Sequence, residues 1–170
     1  IVGSFCDSDT GKQTYGGKIR SSWYHPLKLS SVQCHGEIEP CDTFQGNCVL
    51  VPGDVVEKIG IIDKHFSGSQ YIGDTEYGLR ATRAGVKIFI TGMFAGICEL
   101  NEKGYPWLKK GLTWKQRSHL LMGPKGLQMR SYWYFFKNYG GFFWPIFWMN
   151  YVVKGWVQCG VSHLFSRKRM

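Results

Sequence analysis

The sequence predicts an α/β fold over residues 1–101, followed by aromatic, basic helices over residues 102–170. Three observations carry this reading. The middle of the chain runs through strand, helix, loop, helix and strand patterns in turn. Charge divides sharply: Ile1–Glu102 holds 9 Lys and Arg against 12 Asp and Glu, whereas Lys103–Met170 holds 12 Lys and Arg and no acid. The second part also gathers its aromatic residues into long apolar runs. At 170 residues the chain is long enough to bury an ordinary core.

Taken in order, Ile1–Phe5 reads as a short apolar strand and Asp7-Ser8-Asp9-Thr10-Gly11 as a turn. The opening Ile1-Val2-Gly3 looks like the middle of a buried strand, and the chain does not begin with Met, so it is expected to continue from a longer protein. Proteolytic maturation would give the same start, but no signal-peptide pattern supports it. Thr14-Tyr15-Gly16-Gly17 reads as a second turn or bulge, and residues 21–40 as loop with short strands. Cys48-Val49-Leu50-Val51 is long enough for a buried strand. A helix starts at Pro52, with Asp54 and Glu57 favoured in its first turns by the dipole. Val55, Val56 and Ile59 form its apolar face, and Gly60 stops it. After a polar loop, His65–Gly73, a second helix runs from about Asp74 to Ala84, with Tyr77, Ala81 and Ala84 inward and Gly85 at its end. Val86–Ile90 is the next strand.

Beyond Asn101, Trp114–Met122 reads as a helix and Gly123–Gly126 breaks it. Tyr132–Asn138 is an aromatic helix, and Phe142–Val153 is strongly apolar with Pro145 inside. No residue between Asn138 and Val153 is charged, which is shorter than the about 20 residues a spanning helix needs. A monotopic element fits this stretch best, with Trp144, Trp148, Tyr151 and Trp156 at the headgroup level and the flanking Lys and Arg on anionic lipid. A buried aromatic core helix and a spanning pair are the alternatives. The acid-free second half implies an anionic partner. Nucleic acid ranks last among the candidates, because no recognised motif is present and the charge lies beside apolar runs. The six cysteines read as free thiols. Zinc is the lesser reading for Cys34, His35, Cys41 and Cys48, which lack close C-x2-C pairs.

The segments Gly46-Asn47-Cys48-Val49-Leu50-Val51-Pro52, Glu57-Lys58-Ile59-Gly60, Ile62-Asp63 and Gly73-Asp74-Thr75-Glu76-Tyr77-Gly78-Leu79-Arg80-Ala81, with Ala84-Gly85, occur in an order and spacing that resembles family 2 glycosyltransferases. These are inverting enzymes of the GT-A type, and the likeness is greatest to non-processive bacterial polysaccharide and lipopolysaccharide enzymes. Asp9-Thr10-Gly11, Tyr15-Gly16-Gly17, Pro124-Lys125-Gly126-Leu127 and Tyr139-Gly140-Gly141 extend the resemblance to about Gly141.

The resemblance implies the acceptor-side, C-terminal part of a GT-A domain over residues 1–101. It implies transfer of a sugar from a nucleotide-sugar donor to a glycan or lipid-linked acceptor, on the cytoplasmic face of the plasma membrane. Asp74 takes the position of the catalytic base, with Gly73 standing where the family carries Glu. Glu76 matches a second acidic position. Gln45, Gly46, Asn47, Gly73, Glu76 and Arg80 are the implied substrate-binding residues, and Lys115, Arg117 and His119 lie where some GT-A enzymes cover the diphosphate. A divalent cation, Mg2+ or Mn2+, is implied for the whole enzyme, with its ligand motif and the nucleotide-binding half upstream of this chain. Asp7-Ser8-Asp9 matches a later turn instead. The Gln-x-x-Arg-Trp signature of processive synthases is missing, which implies transfer of single sugars.

The residues themselves leave alternatives. A sugar hydroxyl is a poor nucleophile and needs a carboxylate within hydrogen-bond reach, but Asp74 would also serve as a plain N-cap. Gln45-Gly46-Asn47 suits either hydroxyl recognition or a tight turn. Arg80 suits a phosphate or an ordinary ion pair. A non-catalytic membrane- or partner-binding domain that keeps the fold is the competing function.

Overall fold

The computed structural model describes residues 1–66, 72–100, 105–123 and 126–167. Part of the expected His65–Gly73 loop, the Pro124-Lys125 pair and the basic tail from Lys168 lie outside them. The chain forms two compact units that meet in sequence near Asn101.

The first unit is a curled mixed sheet with two helices. Its strands are β1 (Val2–Cys6), β2 (Gln13–Arg20), β3 (Leu29–Ser31), β4 (Glu39–Cys41), β5 (Thr43–Gln45) and β6 (Ile88–Ile97). The sheet order is β3-β2-β1-β6-β4, with β5 paired to β2. β1 runs parallel to β6, with Val2 opposite Ile90. A parallel pair needs a long crossover, and helices α1 (Gly53–Ile59) and α2 (Gly73–Arg83) lie in it. β4 and β5 are separated by Asp42 alone, yet β4 pairs with β6 and β5 with β2. That switch curls the sheet around a core of Val2, Val32, Cys41, Phe44, Tyr77, Ala81, Ile88 and Ile90.

Of the turn and the bulge expected at Thr14-Tyr15-Gly16-Gly17, the structure has the second: these residues lie within β2, and the register against β1 shifts between Gln13 and Tyr15. A Cβ at Gly17 would run into Ile90 and lie 2.8 Å from the Cys41 sulfur, so glycine lets three strands converge there. Cys48–Val51, expected as a strand, makes one bridge, Val49 to Val2. It adds backbone hydrogen bonds from Gly3 N–H to Cys48 O and from Leu50 N–H to Ile1 O. Further along β1, at Phe5 and Cys6, the same edge is taken by β2. β6 runs well past Ile90, because β1 accompanies it to Ile97. The two helices end as their glycines predict, with Gly60 at φ 75° and Gly85 at φ 80°.

Helix α2 packs on β5 through Gly78. A Cβ there would collide with the Thr43 hydroxyl and sit 2.8 Å from the Thr43 Cα. Thr43 is fully buried, and its hydroxyl donates to Thr75 O at 2.7 Å. In an open helix, Gly→Ala gains up to about 1 kcal/mol. Here the sign reverses: Gly78→Ala is expected to destabilise by about 1–3 kcal/mol through overpacking. Thermal melting checks this, and an unchanged or raised Tm refutes it.

The six cysteines are free thiols. Burial pushes the Cys41 thiol up to about 11 and raises that of Cys159, while Cys48 is exposed. Thiolate is the reactive form. Iodoacetamide at pH 8 is therefore expected to modify Cys48 in the native protein, and Cys41 and Cys159 only after unfolding. Peptide mass mapping reads the outcome.

The second unit contains α3 (Trp114–Met122), α4 (Met129–Tyr139) and α5 (Trp144–Arg167). A capping box starts α3: Thr113 Oγ accepts from Gln116 N–H, and the Gln116 side chain accepts from Thr113 N–H. Trp107, Leu121, Leu127 and Cys159 form its core. Leu127 seats on Gly155, where a Cβ would come within 2.6 Å of it. Pro145 falls in the first turn of α5, where its missing N–H costs nothing. The helix continues through Lys154 for 24 residues. Among the described residues, no helix is both long and apolar enough to cross a membrane.

Candidate active site

The end of β5 and the start of α2 meet at a pocket of about 350 Å3 in the first unit. Three of the expected site residues line it: Gly46, Asn47 and Asp74. The rest of the wall is apolar, from Phe44, Val49 and Val51 on one side to Val56, Ile61, Ile62 and Tyr77 on the other. Sequence reasoning did not assign this lining. The available signal was the apolar face of α1 and the Ile61-Ile62 pair beside Asp63.

Asp74 is half-buried, one residue inside the first turn of α2. The N-cap is Ile72, which makes no side-chain cap. The Asp74 carboxylate instead accepts from Gly46 N–H at 3.2 Å, through Oδ2. It therefore ties the β5 end to α2 and faces the pocket, which the plain N-cap alternative does not describe. Asn47 is exposed beside it, within the same lining. Small size at Gly46 matters, because a Cβ there would stand 3.1 Å from Val49 and 3.5 Å from Asp74 Oδ2.

The other expected residues lie apart from the pocket lining. Gln45 is in β5, paired opposite Gly16. Gly73 is buried as the first residue of α2. Glu76 points inward with 2% exposure, and Arg80 grips it in a fork: Nε donates to Oε1 at 3.1 Å and Nη2 to Oε2 at 3.3 Å. The same guanidinium donates to Ile59 O at 2.5 Å and to Ile61 O at 2.9 Å, closing the C-terminal end of α1. Tyr77 Oη adds a bond to Gly60 O at 3.1 Å. Glu76 and Arg80 thus form a clamp that positions one wall of the pocket. Beyond that wall, Asp63 braces the loop. Its carboxyl is held below the usual range chiefly by the His65 backbone N–H, at 2.8 Å.

The expected diphosphate trio does not form one surface. Lys115 and His119 lie on the exposed side of α3. Arg117 is fully buried, donating to Trp107 O at 2.5 Å and to Ser162 Oγ at 2.8 Å. Positions two apart on a helix point to different sides, and the inward side at Arg117 is the core of the second unit.

Asp7 and Asp9 fall in the turn expected for them. Asp7 Oδ1 accepts from Asp9 N–H, Thr10 N–H and Thr10 Oγ at 2.9–3.2 Å, which is an Asp-led turn. Among the described residues, no group of three or more His, Cys, Asp or Glu side chains could hold a metal ion.

No protein-family model, curated protein or solved structure matches the chain, so the reading of this pocket rests on its own geometry.

Proposed function

We propose that the first unit is the acceptor-binding, base-bearing part of an inverting sugar transferase, with Asp74 as the base. One observation carries the reading: a half-buried carboxylate, held through Oδ2 by a backbone N–H, faces a pocket whose lining also includes the Asn47 amide and Tyr77. The Gly46 bond fixes the carboxylate and leaves Oδ1 to take a proton. In the proposed step an acceptor hydroxyl gives its proton to Asp74 as its oxygen attacks the anomeric carbon. The bond from that carbon to the nucleoside diphosphate breaks, its electron pair leaves with the diphosphate, and the configuration inverts. Asn47 is suited to orient the acceptor through neighbouring hydroxyls. The apolar walls favour an acceptor whose hydroxyl is borne next to a hydrocarbon or on the flat face of a sugar ring, in keeping with a lipid-linked acceptor at the inner face of a membrane. The donor half and its divalent-cation motif belong to upstream sequence in this proposal, and no step here is routed through a metal.

The test is sugar transfer and donor hydrolysis over a panel of nucleotide sugars with Mg2+ or Mn2+. It compares the chain alone, a version extended upstream, and that version carrying Asp74→Asn. Turnover by the extended protein that Asp74→Asn removes supports the reading. An extended protein that is inert towards every donor returns the chain to a binding domain without chemistry.

A further inference from the structure

The long helix α5 is apolar on both sides, and its own unit covers one of them. Gly155 and Cys159 are buried, the first against Leu127, and Tyr151 stacks on Tyr132 at 4.2 Å between ring centroids. Trp144 packs edge-on against Trp133 at 5.8 Å. Two of the four aromatic residues expected at a membrane surface, Trp144 and Tyr151, are therefore engaged with α4. The opposite face is different. Ile146, Met149, Val153, Val157, Val161 and Leu164 recur at spacings of three and four, which places them along one stripe. All six are exposed, from 45% at Val161 to 63% at Ile146, and Phe142 at the leading end is 91% exposed. Lys154 borders the stripe, and the exposed Asn150 is a polar residue within it. A row of this length, about 30 Å along the helix axis, is too continuous for ordinary surface apolar residues and marks a contact face.

The charge pattern selects the occupant. From Lys103 to Met170 the chain has 12 Lys and Arg and no Asp or Glu. A second copy on this face would bring two such segments together against their mutual repulsion. An anionic bilayer accepts both features at once, the apolar stripe below the headgroups and the cations among them.

We infer that α5 lies in the plane of an anionic membrane and buries the Ile146–Leu164 stripe in it. The apolar row enters the acyl boundary, Lys154 reaches the headgroups from its border, and the Tyr151–Cys159 side stays on the protein. This inference is independent of the transfer chemistry, because it uses no residue of the Asp74 pocket.

The experiment is co-flotation of the full chain with vesicles of phosphatidylcholine alone or with about one quarter phosphatidylglycerol, at low and high salt. Tryptophan emission and sedimentation equilibrium are followed in parallel. The expected result is binding to the anionic vesicles, with a blue shift, weakened several-fold by salt. Val153→Asp with Val157→Asp is expected to lower the partition coefficient by about tenfold or more. Both side chains are exposed, so the melting curve of that variant should not change. Absence of binding to anionic vesicles overturns the inference. So does equal binding by the double variant, or a dimer in solution that the two substitutions dissociate, which would assign the stripe to a second copy. None of these outcomes depends on whether sugar transfer is observed.

Discussion

Arg80→Ala is expected to lower stability by about 2–4 kcal/mol, a shift on the order of 5–10 °C in Tm for a chain of this size. The argument lies in what is left behind. Glu76 is almost fully buried, and its carboxylate is held by the Arg80 fork. Truncating Arg80 removes the fork from that buried charge and the donors from Ile59 O and Ile61 O at the end of α1. Breaking a buried pair by removing one partner costs about 3–5 kcal/mol, and the figure is reduced here because a quarter of the Arg80 side chain is exposed. The pair Glu76→Met with Arg80→Met removes the buried charge and should recover most of the loss. A double-substitution cycle by urea denaturation reads the coupling. If Arg80→Ala is neutral, or the double variant is no better than the single one, the clamp is ornamental. The same substitution loosens Ile61 and Ile62 on the pocket wall, so acceptor KM should rise while any effect on kcat stays small.

Asp74→Asn is expected to reduce transfer by about 10²–10⁴-fold in kcat, the contribution of a positioned general base. Asparagine nearly matches aspartate in shape, and its amide oxygen still accepts from Gly46 N–H, so the fold and the pocket should survive. What is lost is the ability to take a proton. Donor hydrolysis by water needs the same proton acceptor and should fall in parallel, while donor KM stays within about threefold. A variant that keeps its rate but melts earlier would make Asp74 a tether between β5 and α2, and the proposed chemistry would fail.

Local signals were legible where they were self-contained. The helix ends at Gly60 and Gly85 follow from positive φ, and α3 was bounded correctly by its apolar pattern and the glycine after it. Thr14–Gly17 leaves turn and bulge open because a turn and a crowded, bulged strand make the same demand on composition. Only the convergence of Cys41 and Ile90 on Gly17 tells them apart, and those residues are distant in sequence. The expected site was split for a related reason. Asp74, Gly46 and Asn47 came together because the crossover returns α2 to the end of β5. Glu76 and Arg80 are four apart on α2, so their nearest partners were each other. Arg117 carried no local sign of burial, since the groups that hold it, Trp107 O and Ser162 Oγ, come from the two flanks of its helix in sequence.

The parallel pairing of β1 with β6 bears on how the first unit comes to exist in time. β1 is the first strand of the unit and is synthesised before the rest of it, but its parallel partner is the last. The β1–β2 hairpin can form on its own, while the sheet around Val2 waits for Ile90. Closing so long a loop costs entropy before any contact repays it, and folds dominated by distant pairings fold slowly. A nascent chain stalled before β6 emerges would carry every residue of the Asp74 pocket without the strand that completes the sheet, and its unpaired β1 edge would be open to any strand that reached it first.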